Sequence, residues 1–236
     1  MAIQRIHAES RGTYGSPRVL QELKKAGWRI GKKRVERLMR ENEIRARAQK
    51  VYSSRSGTMR RKYNDIPNHQ LNKEVSAKDE VWLGDITYLK VGKQWRYLAV
   101  VMDRWSRRVI GWSLGKEKAS SLTLAALNNA AKKRAPGVGL VFHSDRGSEY
   151  FGASFRDKLK RLGIVQSANR AEAFNDNAHM ESFFHSFKSD EYHGRKFHTD
   201  EELRKMIESY MPFYNHKRMH SGLGYQSPVE FEETKC

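Results

Sequence analysis

Apolar and polar positions along this chain follow two different periods, and the change from one to the other divides it. In 13-TYGSPRVLQELKKAG-27, Val19, Leu20 and Leu23 recur at helical spacing. Ser16 stands where an N-cap belongs, Pro17 at a first helical position where its missing N–H costs nothing, and Gly27 where a helix can end. After the short turn 28-WRIG-31, the run 32-KKRVERLMREN-42 presents a second apolar face of Val35, Leu38 and Met39. Two short helices joined by a glycine-bounded turn, the second of them basic, predict a small all-α helix-turn-helix domain over residues 1–47. From Ala48 to about Ala77 the period is lost, and 53-SSRSGTMRRKYND-65 is polar and basic, so residues 48–77 read as a linker.

From Glu80 the spacing becomes that of strands. The stretch 80-EVWLGDITYLK-90, a glycine turn at 91-VGK-93, then 94-QWRYLAVVMD-103 and 108-RVIGWSL-114 predict a three-stranded antiparallel meander. An Ala/Leu-rich helix, 120-SSLTLAALNNAAKKR-134, ends before Pro136-Gly137. A short strand 140-LVFHS-144, a helix 153-ASFRDKLKRLG-163 and a strand 164-IVQSA-168 follow, then a helix from about Asp176, for which Asp176 itself is the expected N-cap. This order predicts an α/β chain whose residues 78–236 form a ribonuclease-H-like mixed-sheet core with a C-terminal helical extension. On a helical wheel, Met180, Phe183, Phe184 and Phe187 share one side and Asn177, Glu181, His185 and Lys188 the other. The aromatic side has to pack inward, which leaves the polar side at the edge of that packing, over a cleft.

Charge sharpens the division. The 236 residues carry 45 Lys and Arg against 27 Asp and Glu, a formal +18. Residues 1–62 hold 18 basic and 5 acidic side chains, and the remainder 27 and 22. A basic helical module on a nearly balanced body points to a polyanion partner, with Lys32, Lys33, Arg34, Arg37 and Arg40 facing outward on the second helix and able to enter a DNA major groove. The linker could follow the same DNA. No apolar run approaches the ~18 residues that span a bilayer, and the first residues lack the apolar stretch of a secretory signal. One cysteine, Cys236, allows neither an internal disulfide nor a cysteine-rich zinc site. The expected setting is cytoplasmic, with no membrane partner.

Three acids stand apart from the solvated majority. Asp85 lies among apolar strand neighbours, Asp145 at the carboxyl end of a strand, and Glu181 in the first turns of the aromatic-rich helix. Three carboxylates delivered to one sheet edge are what two-metal phosphoryl chemistry requires: hard divalent ions such as Mg²⁺ prefer oxygen ligands, and two of them stabilise the attacking and leaving oxygens of an in-line displacement. Other acids read differently. Asp103 suits a turn or salt bridge, Glu149 and Glu172 are loop acids, and Asp190 and Glu191 end the helix. His216 and His220, four apart, lack a third ligand. His143, beside Asp145, serves either phosphate contact or packing. In 200-DEELRKMIESYMPFYNHKRMH-220, a helix disturbed by Pro212, Tyr210, Phe213, Tyr214, Lys217 and Arg218 interleave aromatic and basic character, which suits either a packed helix or the holding of DNA ends.

Asp85, Asp145 and Glu181, with 35 residues between the last two, resemble the D,D(35)E signature of transposases and retroviral-type integrases, and Lys188 matches the basic residue of the same helix face. GDITYL, FHSDRGSEY, DNAHMESFFHSFK and 214-YNHKRMHSGLGYQSPVEF-231 resemble the OrfB-type transposases of the third bacterial insertion-sequence family, and YGSPRVLQELKKAGWRIGKKRVERLMREN resembles their helix-turn-helix. The likeness covers nearly the whole chain. It departs at 168-ANRAEAFN-175, which lacks the glycine expected before the catalytic helix, and in the absence of a His₂Cys₂ zinc module. The resemblance implies a DNA transposase in which Asp85, Asp145 and Glu181 hold two Mg²⁺ ions, with Mn²⁺ able to substitute, and in which Lys188 contacts DNA. His143, Asn177 and His185 are candidates for supporting that site. It implies nicking at element 3′ ends, joining of the freed hydroxyls to target DNA, assembly of several copies on paired terminal repeats, and cooperation with or fusion to an upstream OrfA product. The rival readings are a nuclease of the same fold that cleaves without joining, and a DNA-binding regulator or inactive remnant.

Overall fold

The computed structural model describes residues 2–47, 66–170 and 174–235. The basic stretch 53–65 and Glu172 lie outside the described residues. The predicted meander is present as β1 (Val81–Val91), β2 (Gln94–Asp103) and β3 (Val109–Gly115), all antiparallel. β4 (Val141–Ser144) and β5 (Val165–Ala168) add in parallel on the other side of β1, giving the order β3-β2-β1-β4-β5. Both faces of β1 are apolar because both are covered. Val81, Leu83, Leu89 and Val91 pack toward α7 (Ala178–Phe187) and α8 (Asp200–His216), while Trp82 and Ile86 pack toward α4 (Ser120–Arg134), α5 (Ser148–Phe151) and α6 (Ala153–Arg161). The four-residue α5 escaped the periodicity, being shorter than two turns.

The N-terminal unit has three helices where periodicity predicts two. α1 (Ala2–Glu9) brings Ile3 and Ile6 onto Tyr14 and onto Val19, Leu20, Leu23, Val35 and Met39 of α2 (Ser16–Lys25) and α3 (Lys32–Glu41). Ser16 is not the cap of α2. Gly15 occupies that position, Ser16 and Pro17 are the first two helical residues, and the Ser16 hydroxyl donates instead to Glu36 of α3. Gly27, at φ +82°, turns the chain out of the helix as its lack of a Cβ allows.

This helical core is closed by a residue from the far end of the chain. Met219, 1% exposed, completes it. The Tyr14 hydroxyl donates to the Lys217 carbonyl and accepts from the Met219 amide, both at 2.8 Å, and Arg18 donates to the Met219 carbonyl. Arg11 reaches Glu191 and Ser209 with its guanidinium over the Phe213 ring. Lys25 pairs with Glu230 at the start of α9 (Pro228–Lys235).

Two other segments differ from their sequence readings, and a third settles between two. Residues 66–77, assigned to the linker, are irregular but bound to the body: the Pro67 carbonyl accepts from Ala168 of β5, the His69 amide donates to Ser167, and Arg104 donates to the carbonyls of Gln70 and Lys73. They cover the β5 edge, which would otherwise expose unpaired backbone. Asp190 and Glu191 are not solvated helix ends. α7 widens into a π-helical turn, Lys188–Tyr192, that carries both carboxylates into the interior. There Asp190 meets Arg218 at 2.6 Å and the Tyr210 hydroxyl at 2.9 Å, while Glu191 meets Arg11 and Arg195. Tyr210, Phe213, Tyr214 and Arg218 are therefore interior residues, and the packed-helix reading of that segment is the one found.

His220 stacks edge-on against Tyr214 at 4.8 Å, buried, with no hydrogen-bond partner for its Nε2. Burial first, then the charges of Arg218, Arg107 and Arg18, hold its pKa far below the ordinary imidazole value. The unfolded chain thus binds this proton more readily than the folded one. The stabilisation is complete above about pH 6.5 and is lost as pH falls below it. Denaturant titrations across pH 7 to 4 should show His220→Gln flattening the acid slope by up to about 1.4 kcal/mol per pH unit.

Candidate active site

β4 pairs with β1 in a fixed offset, Val81 with Val141, Trp82 with Phe142 and Leu83 with His143. The ladder stops there. Carried two residues further, the same offset sets Asp85 abreast of Asp145, the one still inside β1 and the other just past the end of β4. The position before Asp85 tolerates no side chain: a Cβ on Gly84 would lie 2.6 Å from the Phe142 ring and 3.2 Å from Tyr150. Asp85 keeps partial access to solvent and accepts from its own neighbour, the Ile86 amide, at 2.7 Å. Asp145 accepts from the Gly147 amide at 3.0 Å, which shapes the turn after β4. Burial, and then repulsion from Asp145, pushes the Asp85 carboxyl well above the usual range, with a smaller push from Glu181. Asp145 is likewise raised by burial, against the pull of the Gly147 amide, with Glu149 adding to the rise.

α7 runs beside β1 and brings the third acid. Its start is pinned by Asn177, whose side-chain amide donates to the Gly84 carbonyl, and the turn beyond its end is pinned by the Tyr192 hydroxyl, which accepts from the Lys90 amide. Asn177, not Asp176, occupies the N-cap position. Asp176 instead accepts from Asn68, Arg170 and the Arg170 amide. Met180, Phe183, Phe184 and Phe187 are buried as the wheel predicts, and Glu181 and His185 are exposed. Lys188 is half-buried. Burial lowers its pKa, against the pull of Asp85.

His143, placed beside the site by sequence, is turned into the sheet. Its two ring nitrogens meet Ser167 Oγ at 2.8 Å and Asn169 Oδ1 at 2.7 Å, and burial lowers its pKa to about 4. It fastens β4 to β5 and to the residue after it. Sequence missed Lys118. Its ammonium pairs with Glu149 at 2.8 Å and lies in electrostatic reach of Asp85 and Asp145. Glu149, which read as a loop acid, is a buried residue of α5. Nothing local marks either residue, since the pair closes across 31 positions.

The donor set suits a hard divalent ion. Two carboxylates raised by burial, one of them also by the charge of the other, lack positive charge, and one of the nearby cations, Lys118, is already engaged with Glu149. Among the described residues no three Asp, Glu, His or Cys side chains yet close on one point where an ion could sit. The structure thus brings Asp85 and Asp145 together and sets Glu181 on the adjoining helix at a greater remove. His216, exposed, and His220, buried, make no metal site.

On α3, Lys32, Lys33, Arg34, Arg37 and Arg40 are all exposed, as expected. Lys32 and Arg37 make loose pairs with Glu36 and Glu41 at 3.6 Å, the kind of surface pair worth ~0.5 kcal/mol. No helix among the described residues is long and apolar enough to cross a membrane.

Residues 1–52 match a family of HTH-like domains, and residues 75–173 and 181–235 match two integrase core domain families. The transposase InsF of insertion sequence IS3A from Escherichia coli (strain K12) is 36% identical over 226 residues, covering 94% of this chain and 78% of the relative. The transposase of insertion sequence element IS904 from Lactococcus lactis subsp. lactis (strain IL1403) is 34% identical over 235 residues, covering 98% and 92%. Among solved structures, the HTLV-2 integrase catalytic core domain in complex with magnesium superposes with a TM-score of 0.52 at 18% identity, covering 66% of this chain and 97% of that one. A chain of the simian T-cell lymphotropic virus intasome in complex with the PP2A regulatory subunit B56 gamma gives 0.56 at 13%, covering 98% and 74%. These likenesses establish the retroviral-integrase, ribonuclease-H-like fold of the body.

The close approach at Gly84 yields a stability test. Gly84→Ala should cost about 1–3 kcal/mol in denaturant titration, the usual range for overpacking a filled core. Phe142→Leu, which shortens the ring that the new methyl meets, should recover part of that loss when combined with it. A strictly additive double mutant would mean that the two side chains do not meet.

Proposed function

The chain belongs to the IS3-type insertion-sequence transposases, polynucleotidyl transferases of DNA transposition, and from that premise we propose that it nicks the 3′ ends of its element and joins the freed hydroxyls to target DNA, using Asp85, Asp145 and Glu181. The observation that carries this reading is the pair of like charges held abreast where β4 leaves β1, with α7 alongside. Asp85 and Asp145 would hold Mg²⁺, or Mn²⁺ in its place, with Glu181 swinging in from α7 to complete the set for two ions. When bound, the metal lowers the cost of charge developing on the attacking and leaving oxygens.

The chain's own residues supply position and charge. The Asn177–Gly84 bond fixes the height of α7 along β1, and so where Glu181 and Lys188 stand. Lys188 offers its ammonium to a DNA phosphate beside the acids. In each step an oxygen, from water or from a 3′-hydroxyl, forms a new bond to phosphorus as the bond to the leaving 3′-oxygen breaks. The nucleophile's proton passes to solvent and the leaving oxygen takes one up, with no covalent link to protein. Lys32, Lys33, Arg34, Arg37 and Arg40 would carry α3 into the major groove of the terminal repeats. Several copies would assemble on paired ends, with an upstream OrfA product as partner or fusion, in the cytoplasm where the DNA lies.

Three measurements test this reading. Asp85→Asn, Asp145→Asn and Glu181→Gln should each abolish nicking and joining while DNA affinity survives, since neutral amides add no repulsion toward phosphate. A variant that joins strands at the wild-type rate removes that residue from the site, and nicking without joining in the wild type would leave a nuclease. At Lys188, strand transfer should decline in the order wild type, Arg, Ala, Glu, with alanine costing about ten-fold or more because a charge-assisted hydrogen bond to phosphate is removed. Lys33, Arg34 and Arg40 changed together to alanine should weaken end binding and flatten its salt dependence, by about 0.9 in the log–log slope for each phosphate that is no longer neutralised.

A further inference from the structure

The β1–β2 hairpin continues past the point where β4 stops pairing, and one of its faces carries aromatic side chains toward solvent. Tyr88 is 43% and Trp95 52% exposed. Tyr88 stands opposite Tyr97 in the ladder and Trp95 opposite Lys90, so the four share one face. Tyr97 meets Tyr88 edge-on at 5.1 Å, and Trp95 meets it edge-on at 6.3 Å. Lys90 reaches over the Trp95 ring at 5.7 Å and Lys118 over the Tyr88 ring at 5.8 Å. The third strand keeps the surface low, since Gly115 is the partner of Tyr97. Lys93 in the turn and Lys116 after Gly115 add positive charge, with Glu117 the acid beside them in sequence. The opposite side of the hairpin is held by the Tyr192 hydroxyl.

Large aromatic rings left in solvent forgo the stabilisation that burial would give them, ~1.5–3 kcal/mol for a side chain of this size. Here they are also kept from collapsing, because each is braced by a neighbouring ring or a lysine stem. Rings interleaved with ammonium groups suit a chain of unpaired nucleotides, whose bases stack on aromatic faces while its phosphates meet lysines. Duplex DNA, with its bases stacked inside, offers such rings nothing to stack on. Lys118 joins this surface to the acids. The same ammonium that lies over Tyr88 pairs with Glu149 and is in electrostatic reach of Asp85 and Asp145. We propose that Tyr88, Trp95 and Tyr97, with Lys90 and Lys118, form a stacking platform for unpaired DNA bases next to the phosphate being cut or joined.

The inference rests on the proposed function, in that DNA strands must pass Asp85 and Asp145, but its test is one of binding and needs no turnover. The full-length protein is mixed with a short duplex bearing a single-stranded oligothymidine tail, with the blunt duplex, and with a duplex whose tail consists of abasic spacers. Wild type should prefer the thymidine tail to the blunt and abasic forms by roughly ten-fold, the scale of one stacked base. Trp95→Ala should erase the preference and leave blunt-duplex affinity within about two-fold, whereas Trp95→Tyr should retain most of it. A tail of 2-aminopurine should be quenched on binding to wild type and stay bright with Trp95→Ala. Because Trp95 is half exposed, thermal melting should confirm that the alanine variant is folded. A preference unchanged in Trp95→Ala overturns the platform alone, as does an equal loss on blunt and tailed DNA, which would mark a plain duplex contact. A shift in sedimentation of Trp95→Ala with no change in tail preference assigns the surface to a second copy and overturns it too. Wild type that binds none of the duplexes overturns the proposed function together with this inference.

Discussion

Two like charges held side by side at the end of a parallel strand pair are unfavourable in themselves, and much of the local design keeps them there. The offset between β1 and β4 sets Asp85 level with Asp145. Gly84 makes room for Phe142 and Tyr150 behind them. The Gly147 amide holds the Asp145 carboxylate in the turn after β4, and Lys118 lowers the pKa of both acids while it pairs with Glu149. Tyr150 lies within reach of the same field, and burial together with the charges of Asp85, Asp145 and Glu149 raises its phenol well above the ordinary value. A site arranged this way is short of cations, which is the condition for holding metal and phosphate together.

The helix that carries Glu181 depends on a second, remote arrangement. α7 is followed by the π-helical turn that buries Asp190 against Arg218, and Arg218 directly precedes Met219, the residue that closes the N-terminal helical core. A buried ion pair of this sort specifies a position more than it adds stability, because the attraction has to offset desolvation of both charges. The position it specifies is shared by the acid-bearing helix and the DNA-binding unit.

The sequence showed the parts of this molecule whose cause is local. The meander, α4, α6 and the aromatic side of α7 follow from periodicity, and the nearness of Asp85 and Asp145 follows from an acid within one strand and an acid at the end of its parallel neighbour. What it hid depends on distant partners. Asp190 and Glu191 read only as acids that end the helix, since the partners that bury them, Arg218 and Arg11, are far away in sequence. Residues 66–77 looked like linker, because their hydrogen bonds run to β5 and Arg104 and leave no periodic trace. His143 lies two residues before Asp145, and it is the location of Ser167 and Asn169 that shows its ring bound within the sheet. Asp176 has the chemistry of a cap, yet Arg170 and Asn68 claim it first.

The Tyr14 hydroxyl bridges two backbone groups, the Lys217 carbonyl and the Met219 amide, that lie more than two hundred residues away. A bond of this kind fixes a length. With α2 and α3 seated on the same loop that anchors α8, α3 is tied to the body that carries the acids by contacts at residues 217–219. On the proposed function the protein is then a caliper, one jaw gripping a sequence and the other closing on a phosphate a fixed number of base pairs away. Any substitution that lets the Tyr14 bridge slip would blur that measure.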